Sequence, residues 1–237
     1  MKNYYDINYE NNMQMLSDAI NYCEKEFNHE DIIRELYSDN DIKKQLCIIN
    51  LKTINSKEEA KILADNLINQ SGPIREVTSF KISELISCEK YTKYFNQKGI
   101  IDILIKGITD INPSVSRNTI ESIKYITDTD YLIKKIITEI NITLNNIEDI
   151  KQTRSYTTNK KNFNLYWNLE ALINLSNKIV IDENIVKIIK TTYKSNDYTI
   201  REKTAKLIIS LNKNNLFEDI INILKNDKNM YVNKYFS

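Results

Sequence analysis

One helix-starting turn recurs along this chain, and its recurrence constrains the fold more than any other feature. In "ITDINPSVSRNTIESIKYI", residues 108–126, Asn112 and Pro113 precede an amphipathic run. Pro is tolerated at the first helical position because its missing N–H would find no partner there. An Asn just before it caps the free N–H groups. Val115, Ile120, Ile123 and Ile126 then fall on one helical face. "SGPIREVTSFKISELI" repeats the arrangement, with Pro73 before Ile74 and with Ile82, Leu85 and Ile86 continuing the face. With Ile74 and Val115 as anchors, further segments align at Ile42, Leu165, Ile200 and Val232. Four residues past the anchors stand Leu46, Thr78, Thr119, Leu169, Thr204 and Phe236. Eight past stand Asn50, Ile82, Ile123, Ile173 and Ile208, of which Asn50 is the misfit.

Each aligned helix but the first follows another amphipathic run, such as "GIIDILIKGITD" or "ENIVKIIKTTYKS". The unit is therefore a helix, a polar turn and a second helix. Three Gly and two Pro in 237 residues are too few for the frequent turns of a sheet protein. The expected fold is all-α: an α-α superhelix, or solenoid, of about five to six helix-turn-helix repeats forming one domain over 1–237. Residues 1–30 form its N-terminal cap, with a helix over 11–27, because end repeats need a polar outer face. The anchors lie 32, 41, 50, 35 and 32 residues apart. Tetratricopeptide and ankyrin repeats keep a near-constant period, so this spacing speaks against them.

The repeats resemble the HEAT repeat family. The resemblance rests on a turn acid or amide, an aliphatic anchor and a following basic residue. These are Asp197 to Arg201, Pro73-Ile74-Arg75, and Asp39 to Lys43 with Lys for Arg. Around Val115 the Arg comes one position late, at Arg117, while Leu165 and Val232 are followed by Tyr166 and Asn233. The resemblance implies that Arg75 and Arg201 form a ladder with turn carboxylates of the next repeat, Asp110 and Asp227. It also implies that second helices line the concave side. The final "MYVNKYFS" is similar to the end of the DNA alkylation repeat glycosylases, which are also HEAT-like, and implies nucleic-acid binding as the alternative function.

Net charge is +1, but residues 1–40 carry nine acids and three bases, and residues 187–237 carry five acids and ten bases. The acidic start opposes phosphate binding. Cys23, Cys47 and Cys88 form no C-x-x-C pair, which excludes a zinc site of that spacing and favours buried thiols in a reducing compartment. No run approaches a membrane span, and the start "MKNYYDINYENNMQ" has no secretory h-region. A cytoplasmic protein without membrane contact is expected. His29 is the only histidine, placed at a helix start among acids, and no nucleophile, phosphate-loop or metalloprotease motif occurs. The sequence thus points to no catalytic residue, cofactor or metal.

The expected function is a non-enzymatic scaffold that binds a protein or peptide in a concave groove. Positions two, six and nine past each anchor lie opposite the core. They place Ile48, Phe80 and Trp167 toward that groove as apolar groups, with Arg117, Lys124 and Lys206 among them. A second surface is a long basic inter-helix loop over 145–163. It supplies Arg154, Lys160 and Lys161, with Lys151 before them and aromatic residues interleaved. Basic and aromatic side chains together can grip phosphate and stack on bases.

Overall fold

A computed structural model describes residues 13–14, 17, 20–21, 27–145, 156–212 and 214–236. Among these the chain is all-helical, with no strand. Met13, Gln14, Ser17, Ile20 and Asn21 are helical and exposed. The rest of the N-terminal helix expected over 11–27, Phe27 excepted, lies outside the described residues. Where one domain is expected, the chain divides into two compact units, Met1–Ile103 and Leu104–Ser237.

The first unit holds α1 (His29–Glu35), α2 (Asp41–Asn50), α3 (Lys57–Asp65), α4 (Gly72–Ile86) and α5 (Glu89–Phe95). In it α2 packs between α1 and α4, and α3 lies against α4 and α5. The next helix, α6 (Lys98–Ile108), runs across the boundary. The second unit continues with α7 (Pro113–Ile123), α8 (Thr129–Asn145), α9 (Tyr156–Asn174), α10 (Glu183–Thr192), α11 (Tyr198–Ser210), α12 (Glu218–Lys225) and α13 (Met230–Asn233). Its hairpins are α8/α9, α10/α11 and α12/α13. Second helices α7, α9, α11 and α13 touch in chain order, and first helix α8 touches α10. The second helices thus form a row within this unit.

Four of the second helices start from a shared device. Its pattern is Ser or Asp, any residue, then Asn or Asp: Ser38–Asn40, Asp110–Asn112, Ser195–Asp197 and Asp227–Asn229. In each, the backbone N–H of the third residue donates to the first side chain, at 2.8–3.2 Å. The third side chain then caps the new helix, accepting from N–H groups at 2.9–3.1 Å. Pro113 opens α7 and Pro73 is the second residue of α4, where neither removes a helical hydrogen bond.

In three of these turns the residue four past the cap closes the turn. Arg201 Nη1 donates to the Ser195 carbonyl at 2.8 Å, Ser116 Oγ to the Asp110 carbonyl at 3.0 Å, and Asn233 Nδ2 to the Asp227 carbonyl at 3.0 Å. Arg75 Nη1 does the same to Gln70 O. Ser116 and Asn233 are thus short donors standing where the basic residue is expected. Leu165 lies ten residues into Tyr156–Asn174. Tyr166 consequently has no turn to close.

Five of the six anchors are buried: Ile74, Val115, Leu165, Ile200 and Val232. Full burial of such an aliphatic contributes ~1.5–3 kcal/mol. The first is displaced. Ile42 and Leu46 are half-buried and Asn50 is exposed, whereas Lys44, Cys47, Ile48 and Leu51 are buried. Counted from the caps Asn40 and Asp197, Cys47 and Leu51 correspond to Thr204 and Ile208, so the register is one residue later than the aliphatic pattern suggests. The irregular spacing also has a physical basis. An additional helix, α5, fills the 41-residue interval between Ile74 and Val115, and α8 is 17 and α9 is 19 residues long in the 50-residue interval.

Candidate functional site

The second-helix row of the C-terminal unit is held by two charged clusters. Arg201, one residue past the anchor Ile200, binds Asp227 of the next turn through both carboxylate oxygens, Nε to Oδ2 at 2.6 Å and Nη2 to Oδ1 at 3.0 Å. The expected ladder pair is present here. A bidentate pair fixes geometry as well as adding energy. The guanidinium hydrogen bond holds Asp227 below the ordinary aspartate value against partial burial, helped by the Asn229 N–H.

The second cluster centres on Glu170 of α9. It accepts from Lys203 at 2.7 Å and Lys206 at 3.2 Å, both on α11. Burial alone would raise the Glu170 carboxyl, but Lys203, and then Lys206, hold it below its usual value. Lys203 shows the converse: burial opposes its charge, and Glu170 with Tyr166 keeps it raised. Its Nζ also lies over the Tyr166 ring, 4.4 Å from the centroid. Farther along the row, Lys234 donates to Glu202 at 3.3 Å and Tyr235 to the same oxygen at 3.1 Å.

The predicted residues distribute unevenly over this frame. Arg117 is exposed on α7, and Lys160 is exposed on the first turns of α9 with Lys161 half-buried beside it. Lys124 caps the end of α7, pairs with Glu121 at 2.7 Å, and its carbonyl accepts from Lys178 at 2.8 Å. Lys206 is engaged with Glu170. Phe80 belongs to the first unit, where it is 60% exposed on α4. Arg154 lies outside the described residues.

Two expectations are corrected. Trp167 is 7% exposed, covered within the row formed by α7, α9 and α11, with Phe163 and Tyr166 edge-on at 6.1 and 5.2 Å. Ile48 is fully buried, a consequence of the displaced register of α2. Neither faces a groove. Of the loop expected over 145–163, residues 156–163 are instead the start of helix α9 and residue 145 ends α8, while 146–155 lie outside the described residues. That start is polar, "YTTNKKNF", and its lack of apolar periodicity concealed the helix.

Three features escaped the sequence reading. His29 is half-buried, with Nε2 2.9 Å from Glu59 and Nδ1 3.4 Å from Thr53, tying α1 to the start of α3. Tyr198 and Tyr231, at the starts of α11 and α13, are exposed with ring centroids 6.3 Å apart. An open cleft of about 1030 Å³ is lined by Ile179, Val180, Ile181, Leu211, Asn212, Asn215 and Leu216. The β-branched run "KIVID" was its only signal. Among the described residues no group of His, Cys, Asp and Glu has the geometry to hold a metal, and no helix is long and apolar enough to cross a membrane.

No protein-family model matches the chain, and no curated protein matches it. Among solved structures, the chain is similar to the crystal structure of an engineered protein at a TM-score of 0.47 and 12% identity. That match covers 88% of this chain and 94% of the other.

Proposed function

We propose that the chain is a non-enzymatic α-solenoid of HEAT-like repeats that binds a protein or peptide on its second-helix side. What supports this reading is the ordered contact of α7, α9, α11 and α13. Repeat scaffolds use such a continuous row of second helices as an extended binding face. Arg117 and Lys160 are exposed on two neighbouring helices of that row, with Tyr198 and Tyr231 farther along it. Arg and Tyr are frequent interface anchors. Trp167 serves as the buried support of this face.

The test is affinity capture with the full chain beside an Arg117→Glu/Lys160→Glu variant. One protein should be retained by the first and lost by the second, with both melting alike. Retention of nucleic acid instead, weakening steeply with salt, would overturn the reading in favour of phosphate binding. A captured protein that ignores the double substitution would remove the second-helix face from the account.

A further inference from the structure

The segment between α9 and α10 is chemically unlike the rest of the chain. "KIVID", residues 178–182, is β-branched at its centre, and such residues favour extended backbone over helix. Ile179 (φ −84°, ψ 125°) and Asp182 (φ −113°, ψ −177°) are both extended. Between them, Val180 and Ile181 make no backbone hydrogen bond to other described residues. Val180 is 85% exposed, high for an aliphatic residue. An extended β-branched segment with unpaired N–H and C=O groups is a template for adding a strand.

The surroundings say what strand would fit. The cleft beside the segment has walls from Leu211 and Leu216, the latter 57% exposed, with Asn212 and Asn215 supplying amides. A second, adjoining cleft of about 550 Å³ shares Ile181 and is lined by Val186, Lys187, Lys190 and Thr191 together with Asp182 and Glu183. The Asp182 carboxylate is engaged in capping α10, accepting from the Asn184 and Ile185 N–H groups at 3.0 Å. Lys187 and Lys190 make no ion pair among the described residues, and Lys194 is exposed in the turn that follows α10. Asp182 and Glu183 offset two of the three, leaving this lip with one positive charge in excess.

We propose that the Ile179–Asp182 segment and its cleft dock an extended peptide in which aliphatic residues alternate with acidic ones. The peptide backbone pairs with Val180 and Ile181, its aliphatic side chains enter the cleft toward Leu211 and Leu216, and its carboxylates meet Lys187 and Lys190. Strand addition draws affinity from main-chain hydrogen bonds and specificity from alternate side-chain pockets. The site deepens the peptide-binding reading but shares no residue with Arg117 or Lys160, so either surface can fail while the other stands.

The probe is a short synthetic peptide alternating valine and glutamate, fluorescently labelled, titrated into the full chain. Its scrambled isomer and a valine–lysine counterpart serve as controls. The alternating acidic peptide should bind at least about tenfold more tightly than either control, a difference of ~1.4 kcal/mol. It should also slow amide exchange at residues 179–181. Val180→Pro removes one N–H and should abolish binding. Leu216→Glu and Lys187→Glu/Lys190→Glu should each weaken it about tenfold, and being surface changes they keep the test valid if the proline variant misfolds. Equal binding of all three peptides, or binding unmoved by these substitutions, would overturn the proposal. So would a dimer of the unliganded chain that Leu216→Glu dissociates, since the cleft would then belong to a second copy.

Discussion

Helices α2 and α11 begin with the same turn and bury different residue patterns. Asn40 and Asp197 each cap two positions after a serine, with matching hydrogen bonds. In α11 the aliphatic periodicity agrees with the turn: Ile200, Thr204 and Ile208 are buried. In α2 it does not. Ile42 and Leu46 stay half-exposed, while Lys44 is drawn inward, its Nζ reaching Gln70 Oε1 at 3.2 Å. A lysine stem buries readily along apolar surface when its head finds a polar group. The lesson is that the starting turn, through its cap, decides which face of a second helix is buried. The aliphatic anchor usually agrees with that decision but does not make it.

Helix α9, in which the anchor stands far from the start, extends the comparison to a case without a nearby turn. Trp167→Ala should be the most damaging single change, at ~3–5 kcal/mol in urea denaturation. The native emission of this sole tryptophan should be blue-shifted and resistant to iodide. Red-shifted, quenchable emission would return its ring to an open face.

The α2 register can be broken directly. Ile48→Ala should cost ~2–5 kcal/mol, like Ile208→Ala in α11. Leu46→Ala should cost no more than ~1 kcal/mol because its side chain is only half-buried. Equal losses at 46 and 48 would dissolve the contrast between the two helices.

Next in size is the ladder. Arg201→Ala should cost ~1.5–3 kcal/mol, since a charge-assisted pair and the closure of the turn are lost together. The carboxylates of Asp227 and Glu170 sit below their ordinary values when folded. Their contribution is therefore complete above the unfolded carboxylate range near pH ~4 and is lost as pH falls through the folded values. Asp227→Asn and Glu170→Gln should lower stability at neutral pH and flatten its decline in acid, read from melts between neutral and acidic pH. An unchanged acid slope would mean that these pairs do not couple to folding. Smallest are the caps, for which Asn40→Ala and Asn112→Ala should cost about 1 kcal/mol each, alike in both units.

Much of this was legible in the residues. Asn112-Pro113 and Asp197 announced their helices because capping chemistry is local. The pairing of Arg201 with Asp227 was implied by the resemblance to HEAT repeats. What could not be read was coverage by neighbours. Trp167 lies opposite Leu169 on a single-helix projection, yet the flanking helices enclose α9. Ile48 was misplaced for another reason: Ile42 and Leu46 outweighed the polar cap in an apolar count. The extra helix α5, "EKYTKYF", carries only Tyr91 and Phe95 as buried residues, too few to show a period.

Cys47 gives the most direct test of the claim that the cap sets the register. It is fully buried at the position seven past Asn40, whereas Cys88 is exposed. In a Cys23→Ser/Cys88→Ser background it becomes the only thiol, and its reaction with a disulfide reagent under native conditions reports its burial. The account predicts labelling slower by orders of magnitude than for an exposed thiol, accelerating in urea only as the chain unfolds. Rapid labelling of Cys47 in the folded protein would contradict it and restore the register set by Ile42.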